Sequence, residues 1–152
     1  LKPRPWIEFN YATGDANAKD GIRGTFDQLY PTAHDKYGLA DQVGWKNIKD
    51  LHMGVETKPR KNWTATLEYN DWYLADPHDA LYNTSSTAIA RSTTGTAGTH
   101  VGQELDLTAT WIVFSALQTG AGIGHLFPGE FLRKTTPGYS YTYPYVMLTY
   151  RF

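Results

Sequence analysis

The sequence predicts an all-β chain: six C-terminal strands of an antiparallel transmembrane β-barrel larger than the chain itself. Three observations carry this expectation. With 11 Tyr, 5 Trp and 6 Phe the 152 residues are 14% aromatic, and 14 Gly and abundant Thr accompany them, a composition that favours strands over helices. Apolar and polar residues alternate with period two in six segments, and no segment of useful length shows a helical period. Between those segments, long and short links alternate strictly, as they do in outer-membrane barrels with long external loops and short periplasmic turns.

The first segment, 6–13, sets Ile7, Phe9 and Tyr11 against Glu8 and Asn10. The second, 48–57, sets Leu51, Met53 and Val55 against His52, Gly54 and Glu56. In the third, 63–73, Trp63, Ala65, Leu67 and Tyr69 alternate with Thr64, Thr66, Glu68 and Asn70. The fourth, 103–114, places Leu105, Leu107, Ala109, Trp111 and Val113 opposite Glu104, Asp106, Thr108 and Thr110. The fifth, 117–126, opposes Leu117, Thr119, Ala121 and Ile123 to Gln118, Gly120, Gly122 and Gly124. The last, 141–152, opposes Val146, Leu148, Tyr150 and Phe152 to Tyr145, Met147, Thr149 and Arg151. Each segment is bounded by turn residues.

Segments of this length match the roughly 9–11 residues that a tilted strand needs to cross the hydrocarbon of a bilayer. A soluble up-and-down barrel also alternates. Two features favour the membrane. Aromatics cluster near strand ends (Trp6, Trp63, Tyr69, Trp72, Tyr73, Trp111, Phe114), where an interfacial girdle belongs. The polar faces hold Gly, Thr, Asn and Glu with almost no Lys. The longest strictly apolar run, as in Trp111 to Phe114, has four residues, far below the roughly 18 of a spanning helix. A charge balance of 14 Lys+Arg against 15 Asp+Glu argues against a nucleic-acid partner, and the absence of Cys removes disulfides and thiolate chemistry. Six strands are too few to close a membrane barrel, whose smallest examples have about eight. The remaining strands are expected upstream of Leu1 or in another chain.

The ending Val146-Met147-Leu148-Thr149-Tyr150-Arg151-Phe152 resembles the C-terminal assembly signal of outer-membrane barrels, with Val146, Leu148, Tyr150 and Phe152 at alternate positions. Several further stretches resemble the alginate-export family of outer-membrane proteins. They are Gly24-Thr25-Phe26-Asp27-Gln28-Leu29-Tyr30-Pro31, Trp72-Tyr73-Leu74-Ala75-Asp76 running to Asp79-Ala80-Leu81-Tyr82, Val101-Gly102-Gln103-Glu104-Leu105-Asp106, and Gly124-His125-Leu126-Phe127-Pro128-Gly129. The resemblance implies the last third of a barrel of roughly eighteen strands in the outer membrane of a Gram-negative bacterium. It also implies passage of saccharides or other solutes, with the barrel-assembly machinery and outer-membrane lipid as partners.

The expected pore-lining residues are Glu8, Asn10, His52, Glu56, Glu68, Asn70, Glu104, Asp106 and Arg151. The carboxylates all fall on the polar phase of their strands, and on the lipid side each charge would cost about 2–4 kcal/mol near midplane. They form an acidic wall relieved by His52 and Arg151, or a packing network with arginines of the missing strands.

The Asp/Asn/Gly-rich stretch 15–21 has calcium-type ligands but no EF-hand spacing, and a turn explains it better. Gly120, Gly122 and Gly124 sit at period two within a strand, so they leave lumenal room or let another segment approach the wall. The five histidines (His34, His52, His78, His100, His125) fit no metalloprotease spacing, and there is no Gly-x-Ser-x-Gly elbow. No enzyme activity, metal or cofactor is expected. The reading that results is a channel for small polar or saccharide solutes, with alginate-type export implied by the resemblance. The alternative is a plugged structural or adhesive barrel whose long loops bind partners.

Overall fold

The computed structural model describes residues 2–31 and 36–152; His34 lies outside them. In chain order the elements are β1 (Arg4–Ala12), β2 (Ile48–Arg60), β3 (Trp63–Leu74), β4 (Ala80–Tyr82), β5 (Ala88–Arg91), β6 (His100–Phe114), β7 (Leu117–Pro128), α1 (Glu130–Thr135) and β8 (Tyr141–Tyr150). Six strands form one sheet in the order β1-β2-β3-β6-β7-β8, and every neighbouring pair is antiparallel. The sheet is open: among the described residues β1 and β8 each have a neighbour on one side only, and no closed barrel forms.

All six expected strands are present, with shifted ends. β2 runs on to Arg60, which leaves a two-residue turn of Lys61 and Asn62 before β3. Ser115 and Ala116 make an equally short turn between β6 and β7. β8 stops at Tyr150, so Arg151 and Phe152 lie beyond the ladder, although the Arg151 N–H still donates to the Ala116 carbonyl at 2.9 Å. Two long links carry structure that alternation did not announce. The link between β3 and β6 contains the β4–β5 hairpin, and the link between β7 and β8 contains α1. A six-residue helix is less than two turns, too short to show a period.

The two faces of the sheet differ in what covers them. Large apolar side chains lie uncovered on one face: Ile7 is 70% exposed, Phe9 65% and Val146 85%. On the other face Asp50 and Glu104 are fully buried and Asp106 is 1% exposed. The apolar core sits on that second face, confined to the long-loop end. There Ile48, Trp72, Leu74 and Val101 from the strand ends pack with Tyr37 and Val43 of the first long loop, Leu81 of β4 and Phe131 of α1. The loops thus fold down over the polar face as a cap.

Asn47 and Asp79 pin that cap. Asn47 adopts a left-handed backbone (φ 50°), which Asn tolerates better than most residues. Its side-chain amide donates to the carbonyls of Asp76 and Ala80, both at 3.0 Å, and its Oδ1 accepts the Asp76 N–H at 2.7 Å. Gly14 must be glycine here, because a Cβ would lie 1.9 Å from the Asn47 Oδ1. Asp79 accepts from the Thr25 hydroxyl at 2.5 Å, the Asp15 N–H at 2.9 Å, the Ala80 N–H at 2.7 Å, the Tyr82 hydroxyl at 2.9 Å and Arg91 at 3.1 Å.

Candidate functional site

The polar face is built row by row from strand register. One row crosses all six strands: Glu8, His52, Asn70, Glu104, Leu126 and Tyr141 stand side by side. The next row toward the short turns holds Trp6, Gly54, Glu68, Asp106, Gly124 and Tyr143. Beyond it come Arg4, Glu56, Thr66, Thr108, Gly122 and Tyr145. Toward the long loops lie Asn10, Asp50, Trp72 and Gly102. Period-two geometry brings eight of the nine expected wall residues onto this one face (Glu8, Asn10, His52, Glu56, Glu68, Asn70, Glu104 and Asp106). Arg151 is not in a row, because it follows the last paired residue of β8.

The wall is knitted by short polar contacts. Asn10 donates to Glu8 at 2.7 Å and to Asp50 at 3.4 Å. His52 lies 3.7 Å from Glu68, and Arg4 lies 3.7 Å from Glu56. The segment 36–40 of the first long loop closes over it. Lys36 reaches Glu8 at 3.5 Å, the Leu39 N–H donates to Asp106 at 3.4 Å and the Ala40 N–H donates to Glu104 at 3.1 Å. Glycine at 124 makes this approach possible: a Cβ there would lie 2.5 Å from the Asp106 carboxylate and 3.4 Å from the Leu39 Cβ. At Gly122 the Tyr145 ring takes the space, and a Cβ would come within 2.3 Å of it. Several buried atoms of the wall nevertheless lack a hydrogen-bond partner among the described residues: Asp50 Oδ1, Glu104 Oε2, Asp106 Oδ1 and both amide atoms of Asn70. Buried polar groups of this kind are normally satisfied by water or a ligand.

Asp50 escaped the sequence reading, although it lies two residues before His52 and so shares its phase. The loop contacts of Lys36, Leu39 and Ala40 left no local signal. The girdle expectation needs correction at two positions. Trp72 is fully buried in the cap core and Trp6 contacts His52 on the polar face, with ring centroids 4.4 Å apart. Trp63 and Trp111 do sit on the uncovered apolar face, stacked at 5.5 Å near the short turns.

In the loops, hydrogen bonding from Lys46 and its charge hold the Asp27 carboxyl below its ordinary range; the two approach to 2.8 Å. Burial raises the Tyr37 phenol, with the charges of Asp50 and Glu8 adding to it. The 15–21 stretch spends its side-chain oxygens on its own backbone. Asp15 accepts the Asn17 N–H at 3.0 Å, Asn17 accepts the Lys19 N–H at 3.2 Å, and Asp20 accepts the Ile22 N–H at 2.8 Å. These are Asx turns, the outcome that its composition favoured. The remaining described histidines are dispersed: His78 beside Asp76, His100 beside Asp71, and His125 beside Thr142.

A family model described as alginate export matches residues 1–146. No curated protein matches the chain.

Proposed function

The chain belongs to the alginate-export family, and from that premise we propose that it forms part of the wall of an outer-membrane channel that passes saccharides or small polar solutes. One observation carries the reading. The sheet leaves its apolar face uncovered and buries Asp50, Glu104 and Asp106 on the other, the arrangement that suits lipid outside and water inside. The orphaned polar atoms of Asn70, Asp50, Glu104 and Asp106 support a hydrated interior. In lipid the two open sheet edges would cost several kcal/mol per unsatisfied group, so further strands complete the barrel. The proposed action is passive conduction, not catalysis, with selectivity set by pore width and wall charge.

Cargo is a separate matter. A uronic-acid polymer is anionic, and a basic lumen would favour it. This part of the wall is acidic, which favours neutral solutes unless arginines stand opposite. A second reading has its own support: Leu39, Ala40 and Val43 are buried against the wall, as they would be in a plugged barrel that serves adhesion. Planar-bilayer recording of the full-length protein separates the two. Stepwise single-channel currents are expected for a conduit, and a silent but fully assembled protein would establish the plugged form. Reversal potentials in a salt gradient then read the sign of the wall.

A further inference from the structure

On the polar face, beside the segment 36–40, lies an open cavity of about 220 Å³ lined by Arg4, Trp6, Glu8, Lys36, His52 and Glu68. We infer that it is a subsite for one ring of a neutral, hydroxyl-rich saccharide, with the Trp6 indole as its platform; this rests on the channel reading above. Trp6 is held in place by glycine. Its indole lies over Gly54, its cross-strand neighbour, where a Cβ would come within 2.7 Å of Cζ2. His52 meets it edge-to-face at 4.4 Å and 87°. An aromatic ring fixed this way, with part of its surface on a cavity, can stack on the C–H face of a sugar at low entropic cost.

The polar rim matches hydroxyl chemistry. Glu8 and Glu68 supply acceptors, and Arg4 and Lys36 supply donors around the same space. Each cation already has a carboxylate: Arg4 shares Glu56 with Lys58, at 3.7 and 3.9 Å, and Lys36 faces Glu8 at 3.5 Å. Among the described lining residues Glu8 and Glu68 match Arg4 and Lys36, which leaves no surplus positive charge there to hold a uronate, and Asp106 stands next to Glu68 in the same row. A neutral polyol can use both donors and acceptors without upsetting this balance.

The test is equilibrium binding to the detergent-folded full-length protein, by calorimetry, with maltohexaose and a mannuronate hexamer as probes. Electrophoretic heat-modifiability confirms that each variant is folded. Maltohexaose is expected to bind, and Trp6→Ala should weaken it by about tenfold or more. Trp6→Phe should weaken it less, and Trp63→Ala on the opposite face should leave it unchanged. Absence of maltohexaose binding to the unmodified protein, binding of the uronate alone, or an unaffected Trp6→Ala variant overturns the subsite. Channel current is recorded in parallel. Current without binding removes the subsite and leaves the channel, whereas binding without current removes the channel and leaves the subsite.

Discussion

Five donors converge on the carboxylate of Asp79, from residues as far apart in sequence as Asp15 and Arg91. Burial by itself would raise this carboxyl, yet hydrogen bonds from Thr25, Asp15, Ala80 and Tyr82 outweigh it and hold the group below its ordinary range. A carboxylate with a depressed folded value stabilises the fold at pH above the unfolded value of about 3.9, and that stability is lost as pH falls through the folded value. Loop amides near Thr25 and Ala80 should therefore be less protected, relative to their intrinsic exchange rates, below about pH 4 than at pH 6. In Asp79→Asn that acid-dependent loss of protection should shrink. Asp79→Ala should cost the cap about 2–3 kcal/mol, because charge-assisted hydrogen bonds are lost and donors are left unpaired. Residue-scale roles of this kind were only partly legible beforehand. The phase of His52 already implied Asp50, and the phases of Glu8 and Asn70 already put Trp6 and Trp72 on the polar face. Position near strand ends suggested a girdle instead, and for those two tryptophans phase prevailed. No local pattern could single out Asp79, since its partners lie in other loops.

At the scale of the strand, alternation was nearly sufficient, because side-chain direction in a β-strand is fixed by period two. It failed at β4, β5 and α1, which are too short to show a period, and at the loop segments, where burial depends on contacts distant in sequence. The face assignment makes a direct prediction. Leu107 and Leu148 point to the uncovered face, at 52% and 73% exposure, and Thr108 lies in the row of Glu56 and Gly122. Leu107→Arg or Leu148→Arg should reduce stable membrane insertion by about 2–4 kcal/mol if near midplane, whereas Thr108→Arg and Thr149→Arg should insert normally. Equal insertion of both classes in a liposome-folding assay would overturn the face assignment. Phe152 lies past the end of β8 and is fully exposed, so deleting it should spare the ladder and the current per channel. Its loss is expected instead to lower the yield of heat-modifiable protein in cells, in keeping with the resemblance of the terminal residues to an assembly signal.

Across the whole molecule, the structure separates into a regular wall and an irregular cap. Two tight turns close the β2–β3 and β6–β7 hairpins at one end, and all three long links gather at the other. Phe26 packs on Trp45 at 5.1 Å, and Val43 is fully buried, so the first long link is anchored at these points, while Leu29 and Tyr30 stay exposed. Protease added to intact cells should cut at Arg23 slowly, and Asp79→Ala should accelerate that cut. Rapid cleavage of the unmodified protein would show that the anchors do not hold. Asn47 has a further consequence, for engineering and divergence. One side chain in the first link binds the backbone of the second at Asp76 and Ala80, while Asp79 of the second binds Asp15 and Thr25 of the first. A graft that transplants either link alone onto another sheet would sever both attachments. The two links are therefore exchangeable only as a matched set, and any specificity that they confer should be inherited, or lost, as one block.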